Sequence, residues 1–68
     1  MKPFELRLAQ EHAKVAHHLK NLRLFIDDAS RFNRLGQEQR ALILEQVDAM
    51  SRYVDILEKR MTLLKIPV

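Results

Sequence analysis

The sequence contains no cysteine and no tryptophan, and it has only one glycine and two prolines. Without cysteine the chain can form neither a disulfide nor a thiolate metal site. The absence of cysteine is also typical of proteins from a reducing compartment. Because both prolines lie near the termini and glycine is scarce, the sequence has little material for turns. An apolar fraction of 47% and a charged fraction of 31% complete a composition typical of helical bundles.

Long apolar runs are missing as well. No run approaches the roughly 18 residues that a membrane-spanning helix requires. The first five residues include Lys2 and Glu5, where a signal peptide would need an apolar core. From these features we expect a cytoplasmic protein without a membrane partner.

The chain is short, with 68 residues, and we interpret residues 1–68 as a single domain. A chain of this size buries too little surface to be comfortably stable alone. Small domains usually depend on disulfides, a metal or association with further copies. Since disulfides are excluded, the sequence predicts self-association into a dimer or a higher even oligomer.

Apolar residues recur in steps of four and three, which is the heptad pattern of helices that pack at a shallow angle. We predict an all-α fold, an antiparallel hairpin with a helix at about 3–29, a turn at 30–36 and a helix at about 37–65. Two helices bury only one seam, so we expect closure into a four-helix bundle or a larger helical assembly. The candidate core and oligomer-interface positions are Leu8, Val15, Leu19, Leu22, Ile26, Val47, Met50, Val54, Leu57 and Met61.

A row of polar residues lies beside the apolar stripe of the second helix. Gln46, Tyr53 and Arg60 are seven residues apart and alternate with apolar positions, so their polar groups need partners. One interpretation is that they pair with symmetry mates and fix the register of the oligomer, which is common in helical bundles. The other is a small-molecule pocket between protomers, where tyrosine stacks on a base, arginine binds a phosphate and glutamine recognises a base edge. Lys14 and His18 of the first helix could face such a pocket, although they also fit a solvated surface.

The sequence offers little to catalysis or metal binding. His12 is five residues from His17 and six from His18, and the latter two are adjacent. Two metal ligands on one helical face need a spacing of three or four. We expect His12 to lie at the edge of the core with a hydrogen-bond partner. No serine has a histidine within one helical turn, and there is no glycine-rich phosphate loop. We therefore predict a non-catalytic protein without cofactor or metal.

The sequence resembles a group of short helical-hairpin proteins encoded by tailed bacteriophages. Their first helix ends in Leu-x-x-Phe-Ile, and their second follows Gln-x-x-x-Met-x-x-Tyr-x-x-x-Leu-x-x-Arg. The matching residues are Arg7, Glu11, Leu22, Phe25, Ile26, Phe32, Leu35, Glu38, Leu42, Leu44, Gln46, Met50, Tyr53, Leu57, Arg60 and Met61. The chain departs from this pattern at His17 and His18, which replace more acidic residues and make the first helix more basic.

This resemblance implies a phage accessory protein that acts in the host cell cytoplasm. By analogy with small phage proteins that sequester immune messengers, we expect a sponge that binds a cyclic or ADP-ribose-derived nucleotide and antagonises host immunity. An RNA- or DNA-binding regulator is an alternative, because the net charge is +3. Its candidate residues are Lys14, Lys20, Arg23, Arg31 and Arg34. A third possibility is an inhibitor or adaptor that docks a helical face on a host enzyme.

Overall fold

The computed structural model describes residues 2–68, which form three helices. Helix α1 spans Pro3–Asp27, α2 is the short helix Ala29–Phe32, and α3 spans Gln37–Leu63. Near the start of α1, Leu8 packs with Leu57 in the second half of α3. Near the end of α1, Arg23 contacts Ser51, which lies closer to the start of α3. The two long helices are therefore antiparallel, and the predicted all-helical hairpin is confirmed.

The first helix begins where the sequence predicts. Pro3 occupies its first position, where a missing backbone N–H costs nothing. The carboxylate of Glu5 accepts a hydrogen bond of 3.1 Å from the backbone N–H of Lys2. This acid also lies at the positive end of the helix dipole, so both features stabilise the start.

The first helix ends at Asp27, two residues before the predicted boundary at 29. The next residue, Asp28, has φ −82° and ψ 86°, and its carboxylate accepts a hydrogen bond of 3.3 Å from the backbone N–H of Arg31. Asp28 therefore caps the following turn of helix, as short acids do at helix starts. Ser30, which was expected to open the turn, lies inside α2 instead.

Aromatic contacts hold α2 against α1. The rings of Phe25 and Phe32 meet edge to face, with centroids 6.3 Å apart. The guanidinium of Arg31 lies 5.3 Å from the centroid of Phe25, within the range of a cation–π interaction. Phe32 therefore folds back on the end of α1.

The second long helix ends at Leu63, two residues before the predicted boundary at 65. Lys65 has φ 58°, in the left-handed region, which stops the helix. The backbone N–H of Ile66 donates to the Met61 carbonyl at 2.9 Å, and that of Lys65 donates to Thr62 at 3.0 Å. This is a Schellman motif, and it turns the side chain of Ile66 into the core.

Burial is concentrated at the end of the hairpin that holds the termini. Leu8, Leu57, Met61 and Ile66 form one buried cluster there. Toward the turn Leu19 is buried, while the remaining predicted stripe residues are half-buried: Val15, Leu22, Ile26, Val47, Met50 and Val54. The predicted stripes thus form the seam between the hairpin's own helices, and their contact with a second copy stays a prediction.

The hairpin is a rod of 45 × 15 × 15 Å. Its accessible surface is 5358 Å², whereas a compact monomer of 8.1 kDa would expose about 4,500 Å². The exposed large apolar side chains include Phe4, Leu6, Leu24, Leu42, Leu44, Ile56 and Leu63. Within residues 2–68 no helix is both long and apolar enough to cross a bilayer.

Candidate ligand-binding site

Polar contacts between α1 and α3 lie on two flanks of the hairpin. On one flank Tyr53 contacts Glu11. On the other, His12 contacts Glu58. Glu11 and His12 are neighbours in sequence but point about 100° apart around the helix, so each serves a different flank. The polar row predicted from the sequence belongs to the first of these flanks.

An open hollow lies on the Tyr53 flank near the termini, with a volume of about 360 Å³. We call it the arginine hollow. Buried Leu8 and Leu57 are part of its lining, and charged or aromatic side chains surround them. Its residues come from both long helices: Phe4, Arg7, Leu8, Glu11, Tyr53, Leu57 and Arg60. The hairpin thus brings two arginines, a tyrosine and an acid together around one apolar patch.

Tyr53 is held in place by Glu11. Its phenol donates a hydrogen bond of 3.2 Å to Glu11 Oε1, while 42% of the residue remains exposed. Partial desolvation of the phenol raises the pKa of Tyr53, and the hydrogen bond and the negative charge of Glu11 raise it further. The positive charge of Arg60 acts in the opposite direction. The phenol is therefore neutral at physiological pH, and its ring is accessible to a ligand.

The arginines of this hollow differ from other basic residues of α3 in their ion pairing. Among residues 2–68, neither Arg7 nor Arg60 has a carboxylate within 4.0 Å. Basic residues elsewhere on α3 behave differently, since Arg52 pairs with Asp48 at 3.3 Å and Lys59 with Asp55 at 2.9 Å. A guanidinium offers five N–H donors in a planar fork that fits a phosphate or carboxylate. The arginine hollow can therefore bind an anion without breaking an existing ion pair.

A second open hollow, of about 310 Å³, lies nearer the turn. We call it the amide hollow, because its side chains include two amides. The lining consists of His18, Asn21, Leu22, Phe25, Gln46 and Met50. Gln46 Nε2 lies 3.9 Å from the sulfur of Met50, which is a weak contact. This hollow contains hydrogen-bonding groups but no arginine or lysine.

The structure thus divides the predicted polar row between two hollows. Tyr53 and Arg60 lie together in the arginine hollow, whereas Gln46 meets His18 in the amide hollow. Gln46 and Arg60 are two heptad steps apart, about 21 Å along the helix, so one hollow does not include the whole row. Lys14 is exposed on α1 and lines neither hollow.

Sequence reasoning missed Arg7 and Glu11 as site residues. The signal that could have revealed this side of the site lies on α1, where Phe4, Glu11, His18 and Phe25 are also seven residues apart. In an antiparallel pair, such a row lies along the equally spaced row of α3. Both rows together define the flank that carries the hollows.

Two of the three histidines have hydrogen-bond partners. The Nε2–H of His12 donates to Glu58 Oε2 at 2.9 Å, which confirms the predicted partner for a histidine at the core edge. His17 lies within 3.1 Å of the Asn21 amide. Within residues 2–68, no group of three side chains of the metal-binding types gathers into a candidate metal site.

Two of the residues considered for nucleic-acid binding make contacts within the hairpin. Arg23 donates a hydrogen bond of 2.8 Å to the Ser51 hydroxyl. Arg31 stacks on Phe25. These contacts give both arginines a structural role on the hairpin.

Comparisons with known proteins identify the family. Neither the curated proteins nor the solved structures gave a match. A family model described as Sequestin matches residues 2–63, which include both long helices and both hollows. The name denotes sequestration, a role that needs a binding site and no catalytic group. The chain belongs to the Sequestin family.

Proposed function

We propose that this protein is a non-catalytic phage accessory protein that sequesters a small anionic nucleotide signal between protomers and so antagonises host immunity. The signal is a cyclic or ADP-ribose-derived nucleotide. Membership of the Sequestin family supports the sequestering role. The arginine hollow is the observation that supports the choice of ligand.

The chemistry of the arginine hollow suits a nucleotide. Arg7 and Arg60 approach from different helices and can hold one phosphate or diphosphate from two sides. Tyr53 offers an exposed ring on which a base or sugar can pack. Ligand sites in proteins occupy about 300–1,000 Å³, and this hollow lies in the lower part of that range.

Self-association would complete the site. The hollow opens to solvent, and beside Tyr53 and Arg60 runs an exposed apolar row on α3. This row consists of Leu42, Ala49, Ile56 and Leu63, which are seven residues apart. A second copy packed on this row would bury apolar surface and partly cover the ligand. Removing water from the hollow would also strengthen the attraction between the arginines and a phosphate.

Native mass spectrometry with a nucleotide panel tests this proposal. The panel should contain cyclic mono- and dinucleotides, ADP-ribose and ADP. We expect an even oligomer that gains the mass of a nucleotide. Tyr53→Ala and Arg60→Ala should lose the adduct while keeping the oligomer. Arg52→Ala is the matched control, because Arg52 lies on the same helix but pairs with Asp48 outside the hollow.

Two results would contradict the proposal. An oligomer that binds no nucleotide of the panel would show that the proposed ligand class is wrong. Dissociation of the oligomer in Arg60→Ala, but not in Arg52→Ala, would make the polar row a device that fixes register.

A further inference from the structure

Glu11 is an unexpected residue in a site for an anion. Its carboxylate lines the same hollow as Arg7 and Arg60, where it would repel a phosphate. It does not serve to neutralise the arginines, because no ion pair within 4.0 Å joins it to either of them. The acid therefore needs another explanation.

The carboxylate of Glu11 has free hydrogen-bond acceptor positions. Its Oε1 atom accepts from the Tyr53 phenol. An ionised carboxylate has about four acceptor positions, so most of them are left for a ligand. Because Tyr53 fixes one oxygen, the carboxylate is held in place before a ligand arrives. A group that only accepts hydrogen bonds selects a ligand with donors.

A nucleotide contains such donors close to its phosphate, in the ribose hydroxyls. Carboxylates recognise ribose hydroxyls in other nucleotide sites for the same reason. We infer that Glu11 is a specificity-determining residue that accepts hydrogen bonds from a free ribose 2′,3′-diol while Arg7 and Arg60 hold the neighbouring phosphate. This inference rests on the proposed function and narrows its ligand class.

The charge of Glu11 determines which ligands suit the hollow. A ligand with one of these ribose hydroxyls esterified to phosphate would place a negative group against the Glu11 carboxylate and would keep at most one hydroxyl donor. A ligand with a free diol beside a diphosphate would satisfy the acid and both arginines together. The hollow therefore favours nucleotides with a free ribose diol beside a diphosphate over nucleotides whose corresponding 2′ or 3′ hydroxyl is esterified to phosphate.

Calorimetric titration with ADP and 2′,3′-dideoxy-ADP tests the role of Glu11. These two probes share base and diphosphate and differ only in the diol. We expect the protein to bind ADP about tenfold or more tightly than the dideoxy analogue, since hydrogen bonds to a charged group are at stake. In Glu11→Ala the preference should fall to about twofold or less, and dideoxy-ADP should bind at least as tightly as before. Glu45→Ala, on the exposed surface of α3, should keep the preference.

The possible failures are distinct. Equal affinity for the two probes would overturn the role of Glu11 and leave the proposed function standing. An equal loss for both probes in Glu11→Ala would assign the acid to positioning Tyr53, which also overturns the inference. If neither ADP nor pyrophosphate binds, the arginine hollow is not a phosphate site, and the proposed function fails together with the inference.

Discussion

The two hollows share one geometry but differ in chemistry. Each lies between the same helices, and each includes a phenylalanine from the heptad row of α1, Phe4 in one and Phe25 in the other. The same row contributes Glu11 to the arginine hollow and His18 to the amide hollow. The heptad repeat therefore places a hollow at two points along the same pair of helices. The residues at a few positions decide that only the arginine hollow contains arginines.

The floors of the hollows differ as well. Leu57, beneath the arginine hollow, is 1% exposed and belongs to the cluster closed by Ile66. Met50, beneath the amide hollow, is only half-buried. A well-packed floor holds side chains in place before a ligand binds, which lowers the entropic cost of binding. The arginine hollow is thus the better prepared of the two.

The largest expected effect compares these floors. Leu57→Ala should lower the free energy of unfolding by about 2–5 kcal/mol, because it leaves a cavity in the packed cluster. Met50→Ala should lower the free energy of unfolding by less, since solvent already reaches that side chain. Urea denaturation at one fixed protein concentration measures both. Equal losses would contradict the described difference in packing between the two ends.

The next effect compares ligand affinity. Arg60→Ala should weaken ADP binding by about 1.5–3 kcal/mol, as expected for a hydrogen bond to a charged group. Gln46→Ala, in the amide hollow, should weaken ADP binding by about 1 kcal/mol or less. Calorimetric titration measures both, with Arg52→Ala as the control outside either hollow. A larger loss of ADP affinity in Gln46→Ala than in Arg60→Ala would show that the phosphate binds in the amide hollow, and would contradict the assignment.

A third comparison concerns the ends of α3. Lys65→Gly should stabilise the protein by about 1 kcal/mol, because glycine adopts the left-handed conformation without penalty. At the other end, Gly36→Ser should change stability by only a few tenths of a kcal/mol, since glycine is already an acceptable helix cap with φ −64°. Thermal and urea denaturation test the pair. No gain in Lys65→Gly would contradict the Schellman geometry.

The smallest effect is a pKa shift within the arginine hollow. Glu11→Gln should lower the pKa of Tyr53 toward its usual value, because the negative charge is removed. The raised pKa contributes stability that is present below the usual tyrosine pKa and is lost as pH rises through the folded-state value. Because Tyr53 is the only tyrosine and tryptophan is absent, ultraviolet absorbance follows its titration directly. An unchanged pKa would show that Glu11 does not influence the phenol.

The sequence predicts the hairpin well because heptad periodicity depends on residues that pack across the whole seam. The helix ends were less predictable. Asp28 lies inside the helix predicted at about 3–29, whereas in the structure its carboxylate caps α2. Lys65 was placed inside α3, because lysine rarely adopts the left-handed conformation that stops the helix there.

The site was predicted in part. Tyr53 and Arg60 could be found because their spacing along one helix is visible in the sequence. Gln46 was grouped with them, although it lies two heptad steps, about 21 Å, from Arg60, which is too far for one hollow to include all three. Arg7 and Glu11 were missed because their role depends on the register between α1 and α3, which a pattern within one helix does not reveal.

Chemical-shift mapping of the isotopically labelled protein with ADP-ribose tests the central claim most directly. We predict saturable shifts that are largest at Arg7, Glu11, Tyr53 and Arg60, with smaller shifts at Gln46 and His18. In Arg60→Ala, the same titration should produce no saturable shifts in the arginine hollow. Shifts confined to the amide hollow, or saturation unchanged by Arg60→Ala, would contradict the assignment of the arginine hollow as the nucleotide site.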